Sequence, residues 1–223
     1  PVPAQGGPCS FYEAFDHIAD VAADEPDGCV DGSGDHARTG ALAVFTGDRM
    51  IVWGGADARG DRSDGAAYDP VTDSWRKIPP APISAREWVP IAWTGAEVVV
   101  WGGSSYSASR ADGAAYDPAT DTWRKLPAAP IKGRYSHSVT WTGEELVVFG
   151  GYNFHRPFAD GAAYDPVRNR WRKLPRAPIK PRFQHSAIWT GTEMIVFGGT
   201  WDFGHIALGD GAIYDPESNQ WKR

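Results

Sequence analysis

Cysteine and methionine are scarce in this chain, with two of each among 223 residues. The cysteines, Cys9 and Cys29, both stand near the start, so a Cys-His nucleophile has no place in the remaining sequence. Two thiols 20 positions apart, in a segment with little core of its own, are expected to form a disulfide; the alternative is a pair of free cytosolic thiols. No apolar run approaches the ~20 residues that a membrane-spanning helix needs. Positive charge is not in excess: the net charge of −6 argues against a nucleic-acid backbone as partner. The chain also lacks an Asn-X-Ser/Thr sequon and a Gly-Lys-Ser/Thr phosphate loop. No motif calls for a cofactor.

What is abundant is repetition. Gly54-Gly55, Gly102-Gly103, Gly150-Gly151 and Gly198-Gly199 recur every 48 residues. Tyr68, Tyr116, Tyr164 and Tyr214 follow in the same order, each with a tryptophan seven positions later: Trp75, Trp123, Trp171 and Trp221. The 11 tryptophans therefore read first as core. A period near fifty residues, filling 38–223, means an array of one supersecondary unit.

Within the third copy the spacing predicts four strands. These are Ser136 to Trp141, Glu145 to Gly150, Gly161 to Tyr164 and Trp171 to Leu174. Leu146-Val147-Val148-Phe149 is continuously apolar, as a strand covered on both faces would be. Arg172 and Lys173 suit an outermost strand that must not pair with a neighbour. Helix-period segments are absent from the copies. A four-stranded unit of this kind buries its faces only by stacking, and radial stacking gives a β-propeller.

The diglycine after an apolar strand, with Tyr and Trp in fixed register behind it, resembles the kelch repeat. The resemblance covers 38–223 and implies an all-β fold, a β-propeller of four-stranded kelch-type blades at about 38–83, 84–131, 132–179 and 180–223. Kelch propellers usually close with five to seven blades, and four are visible here. The expectation is a single closed four-bladed ring. The alternatives are part of a longer propeller, or an open arc completed by another copy.

Residues 1–37 form an N-terminal extension of tail, short helix and acidic loop. Ser10 and Glu13 make a capping-box pair, and Phe11, Phe15, Ile18 and Ala22 fall on one helix face. This segment is expected to dock on the repeats as a cap. Asp31, Ser33 and Asp35 alternate as calcium ligands sometimes do, but His36 stands where an EF-hand loop needs glycine.

The kelch resemblance implies a ligand site on the face that carries the blade-joining loops. Arg38, Arg86, Arg134 and Arg182 enter that face, and Asp64, Asp112, Asp160 and Asp210 return to it. Either the arginines bind an anion through bidentate hydrogen bonds, or each pairs with an aspartate as a structural clamp. Positions that differ between copies are freer to specialise. The unequal loops Ala56–Ser63, Ser104–Ala111, Tyr152–Ala159 and Thr200–Gly209 offer Tyr106, Tyr152, His155, Trp201 and His205. With Arg86, Arg134 and Arg182, these are the expected contact residues. His137, His155, His185 and His205 gather on the last two copies, with His137 and His185 reading as core histidines rather than metal ligands.

The leading expectation is a secreted or surface-exposed binding module for a protein, an anion or a sugar. One alternative is a kelch-type lyase or isomerase acting on a sugar or small anion, using Glu87, His137 and His185 with the arginines as an electrostatic clamp. The other is an open array that self-associates.

Overall fold

The computed structural model describes residues 38–106, 108–202 and 206–223. The N-terminal helix and the Cys9–Cys29 pair expected from sequence lie outside them. Blade 1 runs through β1 (Leu42–Phe45), β2 (Met50–Trp53), a small hairpin of β3 (Ala56–Asp57) and β4 (Gly60–Asp61), then β5 (Gly65–Asp69) and β6 (Ser74–Lys77). Blade 2 repeats this with β7 (Ile91–Trp93), β8 (Val98–Trp101), the hairpin β9 (Ser104–Ser105) and β10 (Ala108–Ser109), β11 (Gly113–Asp117) and β12 (Thr122–Lys125). Blade 3 holds β13 (Ser138–Trp141), β14 (Leu146–Phe149), β15 (Gly161–Asp165) and β16 (Arg170–Lys173). Blade 4 holds β17 (Ser186–Trp189), β18 (Met194–Phe197), β19 (Gly211–Asp215) and β20 (Gln220–Lys222). Each blade is one four-stranded antiparallel sheet with its strands in chain order.

Local chemistry explains the registers. Each Tyr–Trp spacing of the sequence is a cross-strand pair: Tyr68 faces Trp75, Tyr116 faces Trp123, Tyr164 faces Trp171 and Tyr214 faces Trp221. Their rings lie 5.0 to 5.2 Å apart and are tilted by 38° to 43° to each other. The turn between them holds Asp73, Asp121, Asn169 or Asn219 at φ between 50° and 56°. Asp and Asn tolerate that left-handed region, and here each side chain also accepts the tyrosine hydroxyl. In blade 3 the first strand starts at Ser138 rather than at the expected Ser136. Ser136 sits at φ 51°, which breaks the extended chain.

Apolar cores form between consecutive blades. Trp53 and Ile51 of blade 1 pack with Val98, Val100 and Tyr116 of blade 2. Trp101 and Val99 meet Leu146, Val148 and Tyr164 in the next joint. Phe149 and Val147 meet Met194, Val196 and Tyr214 in the third. The linkers after the first three blades add large apolar residues to their joints, Ile78 and Ile83 in the first, Leu126 and Ile131 in the second, Leu174 and Ile179 in the third.

The expected closed ring is not what these joints build. Among the described residues no core joins blade 4 to blade 1. Phe197 is 57% exposed, although Trp53, Trp101 and Phe149 at the matching positions are at most 1% exposed. The three joints repeat the same contacts, so they turn the chain by similar steps, and four blades at that step leave the arc open.

Candidate functional site

At one end of the arc every blade begins with an arginine whose guanidinium hydrogen-bonds within the fold. Arg134 Nη1 donates to the Gly150 carbonyl at 2.9 Å and to Asp160 Oδ1 at 2.9 Å, while Nε donates to the Lys132 carbonyl at 3.0 Å. Arg86 binds the Gly102 carbonyl and Asp112 in the same way, and Arg182 binds the Gly198 carbonyl and Asp210. Arg38 pairs with Asp64 at 2.8 Å. The hydrogen bond from Arg182 holds the Asp210 carboxyl below the ordinary carboxylate range.

Arg86, Arg134 and Arg182 are fully buried. The anion-contact reading of these three is therefore corrected: each guanidinium clamps the start of its blade to the end of the long loop, and none reaches solvent. The rim face of Phe158 closes over Arg134, with the guanidinium carbon 4.2 Å from the ring centre.

Tyr152 is also corrected. It is 8% exposed and packs against Tyr135 at 5.8 Å and Phe183 at 5.1 Å, so it holds the third loop down rather than presenting it. His137 and His185 are joint residues. His137 lies 5.5 Å from the Trp101 ring and His185 lies 5.6 Å from Phe149. Burial is the first cause that drives the imidazole of His137 well below its ordinary proton affinity, with Arg134 and His185 adding to it. Burial and then Arg182 push His185 down to about 4. Both are neutral packing groups beside the diglycines, and a Cβ at Gly102 or Gly150 would stand 2.7 or 2.6 Å from an imidazole carbon.

The remaining contact candidates separate cleanly. Tyr106 is 83% exposed, Trp201 is 43% exposed, and His155 is exposed beside Arg156. Tyr106 sits in the β9–β10 hairpin at φ 53° and reaches toward Gly60 of the neighbouring blade's hairpin. His205 lies outside the described residues. Glu87 is half-buried; burial, then the neighbouring Asp61, raises its carboxyl above the usual value.

Sequence reading missed Trp88, which is 51% exposed at φ 54°. The fold requires a left-handed residue here in every blade, supplied elsewhere by Gly40, Ser136 and Gln184. A bulky aromatic is the least suited to that backbone, which costs roughly 1–2 kcal/mol for a residue with a Cβ. The signal was available, because this position differs in all four copies.

Beside the third loop, Arg156, Phe158, Lys173, Leu174 and Arg176 line a notch of about 260 Å³. Asp160 is the one carboxylate on its wall, and it is already paired with Arg134.

Residues 29–223 match the family model described as the Attractin/LZTR1 beta-propeller. The chain belongs to that family. The match spans all four blades, and it agrees with the kelch-type repeat read from the diglycine, tyrosine and tryptophan positions. No curated protein matches the chain. Membership of the Attractin/LZTR1 propeller family suggests a protein-interaction module. No helix among the described residues is long and apolar enough to cross a membrane.

Proposed function

We propose that this propeller binds a protein partner through the loop-bearing face, with Trp88, Tyr106 and Trp201 as its aromatic anchors. The observation that carries this reading is the contrast at that face. Arg86, Arg134, Arg182 and His137 are buried in clamps and joints, whereas these three aromatics are left to solvent. An exposed tryptophan or tyrosine brings large apolar area with few rotatable bonds, which is why such residues dominate binding hot spots. His155 and Arg156 supply the polar rim beside them. The pairing of Cys9 with Cys29 would suit work in an oxidising compartment.

A second reading is supported by the notch around Arg156, Lys173 and Arg176, which suits an anionic group better than the buried arginines do. It deepens the first reading if the partner presents an acidic side chain or a sulfated sugar there.

The test is a variant with Trp88, Tyr106 and Trp201 all changed to Ser. Wild-type and variant protein are immobilised side by side, and partners from the native source are quantified against both. Hot-spot aromatics contribute about 2 kcal/mol or more each, so capture should fall by at least about 30-fold. Retention of the same partners at the same level would overturn the assignment of this face.

A further inference from the structure

The two ends of the arc carry opposite halves of one joint. At each internal joint the second glycine of a diglycine donates its N–H to the carbonyl of the next blade's arginine: Gly55 to Arg86, Gly103 to Arg134 and Gly151 to Arg182, at 2.8 to 2.9 Å. On blade 4 the matching Gly199 N–H has no partner among the described residues. At each joint, too, an arginine on the outermost strand reaches across to the tyrosine hydroxyl of the next blade. Arg76 also pairs there with the Asp121 carboxylate at 2.9 Å. Blade 1 presents the receiving half of that contact, the hydrogen-bonded pair Tyr68 and Asp73, with no cation from another blade on it among the described residues. Blade 4 presents the donating half at Lys222, which pairs with Glu193 of its own blade.

The apolar halves match as well. Phe197 and Ile188 on the outer face of blade 4 are 57% and 62% exposed. Phe45 on the opposite face of blade 1 is 56% exposed, at the position where the later blades place half-buried tryptophans. Large apolar side chains left open at both ends of a stacked array mark surfaces built to be covered.

We propose that the blade 4 face of one copy docks on the blade 1 face of a second copy of this chain, continuing the internal joint between molecules. Lys222 then meets Asp73 as Arg76 meets Asp121, and Phe197 meets Trp75 as Trp53 meets Trp123. Such a head-to-tail contact is heterologous, and two copies close it when both ends of each are used. The contact between copies is bimolecular, so it depends on concentration.

Sedimentation or light scattering of the 24.2 kDa chain over a concentration series tests this. The mass should rise toward twice the monomer value. Phe45→Asp and Phe197→Asp, both at exposed positions and so compatible with folding, should each stay monomeric alone. Mixed together they should form a dimer, because the first keeps an intact blade 4 face and the second an intact blade 1 face. Lys222→Asp should weaken association, and Asp73→Lys in the same chain should restore it. A monomer at every concentration up to the solubility limit overturns the proposal, whether the end faces stay bare or residues 1–37 cover them. Association that survives both Phe45→Asp and Phe197→Asp unchanged overturns it as well.

Discussion

The layer of blade-joining arginines and the rim of loops above it lie at the same end of the protein, yet they are built oppositely. In the layer, Arg134 has no exposed surface and its side chain holds together segments far apart in sequence. On the rim, Tyr106 is 83% exposed. The layer repeats in every blade and the rim does not. A residue that recurs in all four copies answers to the joint it serves, and one that appears once is free to answer to something outside the chain.

The largest expected effect comes from breaking the layer. Arg134→Ala strands the Asp160 carboxylate and the carbonyls of Gly150 and Lys132 without their donor. Asp160 is about one-third exposed, so the cost falls on the carbonyls that lose their donor and on the cavity left by the buried side chain, together about 3–5 kcal/mol, which urea unfolding would measure. A loss below about 1 kcal/mol, the range of an exposed pair, would reduce the clamp to a surface contact.

The diglycines sharpen the same contrast along the arc. A Cβ at Gly102 would stand 2.7 Å from the Arg134 carbonyl and 2.7 Å from His137, whereas at Gly198 the nearest atom is 3.7 Å away. Both glycines have positive φ, 77° and 71°. In protein dilute enough to be monomeric, Gly102→Ala should therefore lose about 2–4 kcal/mol from clash plus backbone strain, and Gly198→Ala only the strain, about 1 kcal/mol. Equal losses would mean that Gly198 faces a neighbour as its counterparts do.

Acid should loosen the joints. His185 binds a proton near 4 when folded and near 6.5 as an ordinary imidazole. Between those values the unfolded chain holds the extra proton, so stability falls as pH is lowered. The loss begins near pH 6.5, is complete near pH 4, and reaches up to about 3 kcal/mol for this one group. His185→Val copies Val89 at the matching place in blade 2, and should flatten the pH dependence of the urea midpoint. An unchanged dependence would place the effect elsewhere.

The smallest effect is expected on the rim. Trp88→Gly relieves left-handed strain but gives back part of it as unfolded-chain entropy, for a net gain of up to about 1 kcal/mol. A loss of that size instead would show that the indole packs as part of the fold.

Much of this architecture was legible in the sequence because its causes are local. The apolar run Leu146 to Phe149 marks a covered strand, and the Tyr164–Trp171 spacing is a hairpin register. The role of Arg134 was left open because clamp and anion site need the same residue types, and only burial separates them. Tyr152 was misread for a related reason: the sequence shows an aromatic in a variable loop but not the Tyr135 and Phe183 rings that enclose it. The opening of the arc depends on the step between blades, which is set by side-chain volumes across three cores and has no signature in the period.

The most direct test of the division between layer and rim is urea unfolding of Arg134→Ala beside the variant with Trp88, Tyr106 and Trp201 changed to Ser. The arginine variant should lose about 3–5 kcal/mol and the triple variant should stay within about 1 kcal/mol of wild type. A triple variant destabilised as much as the arginine variant would contradict the account.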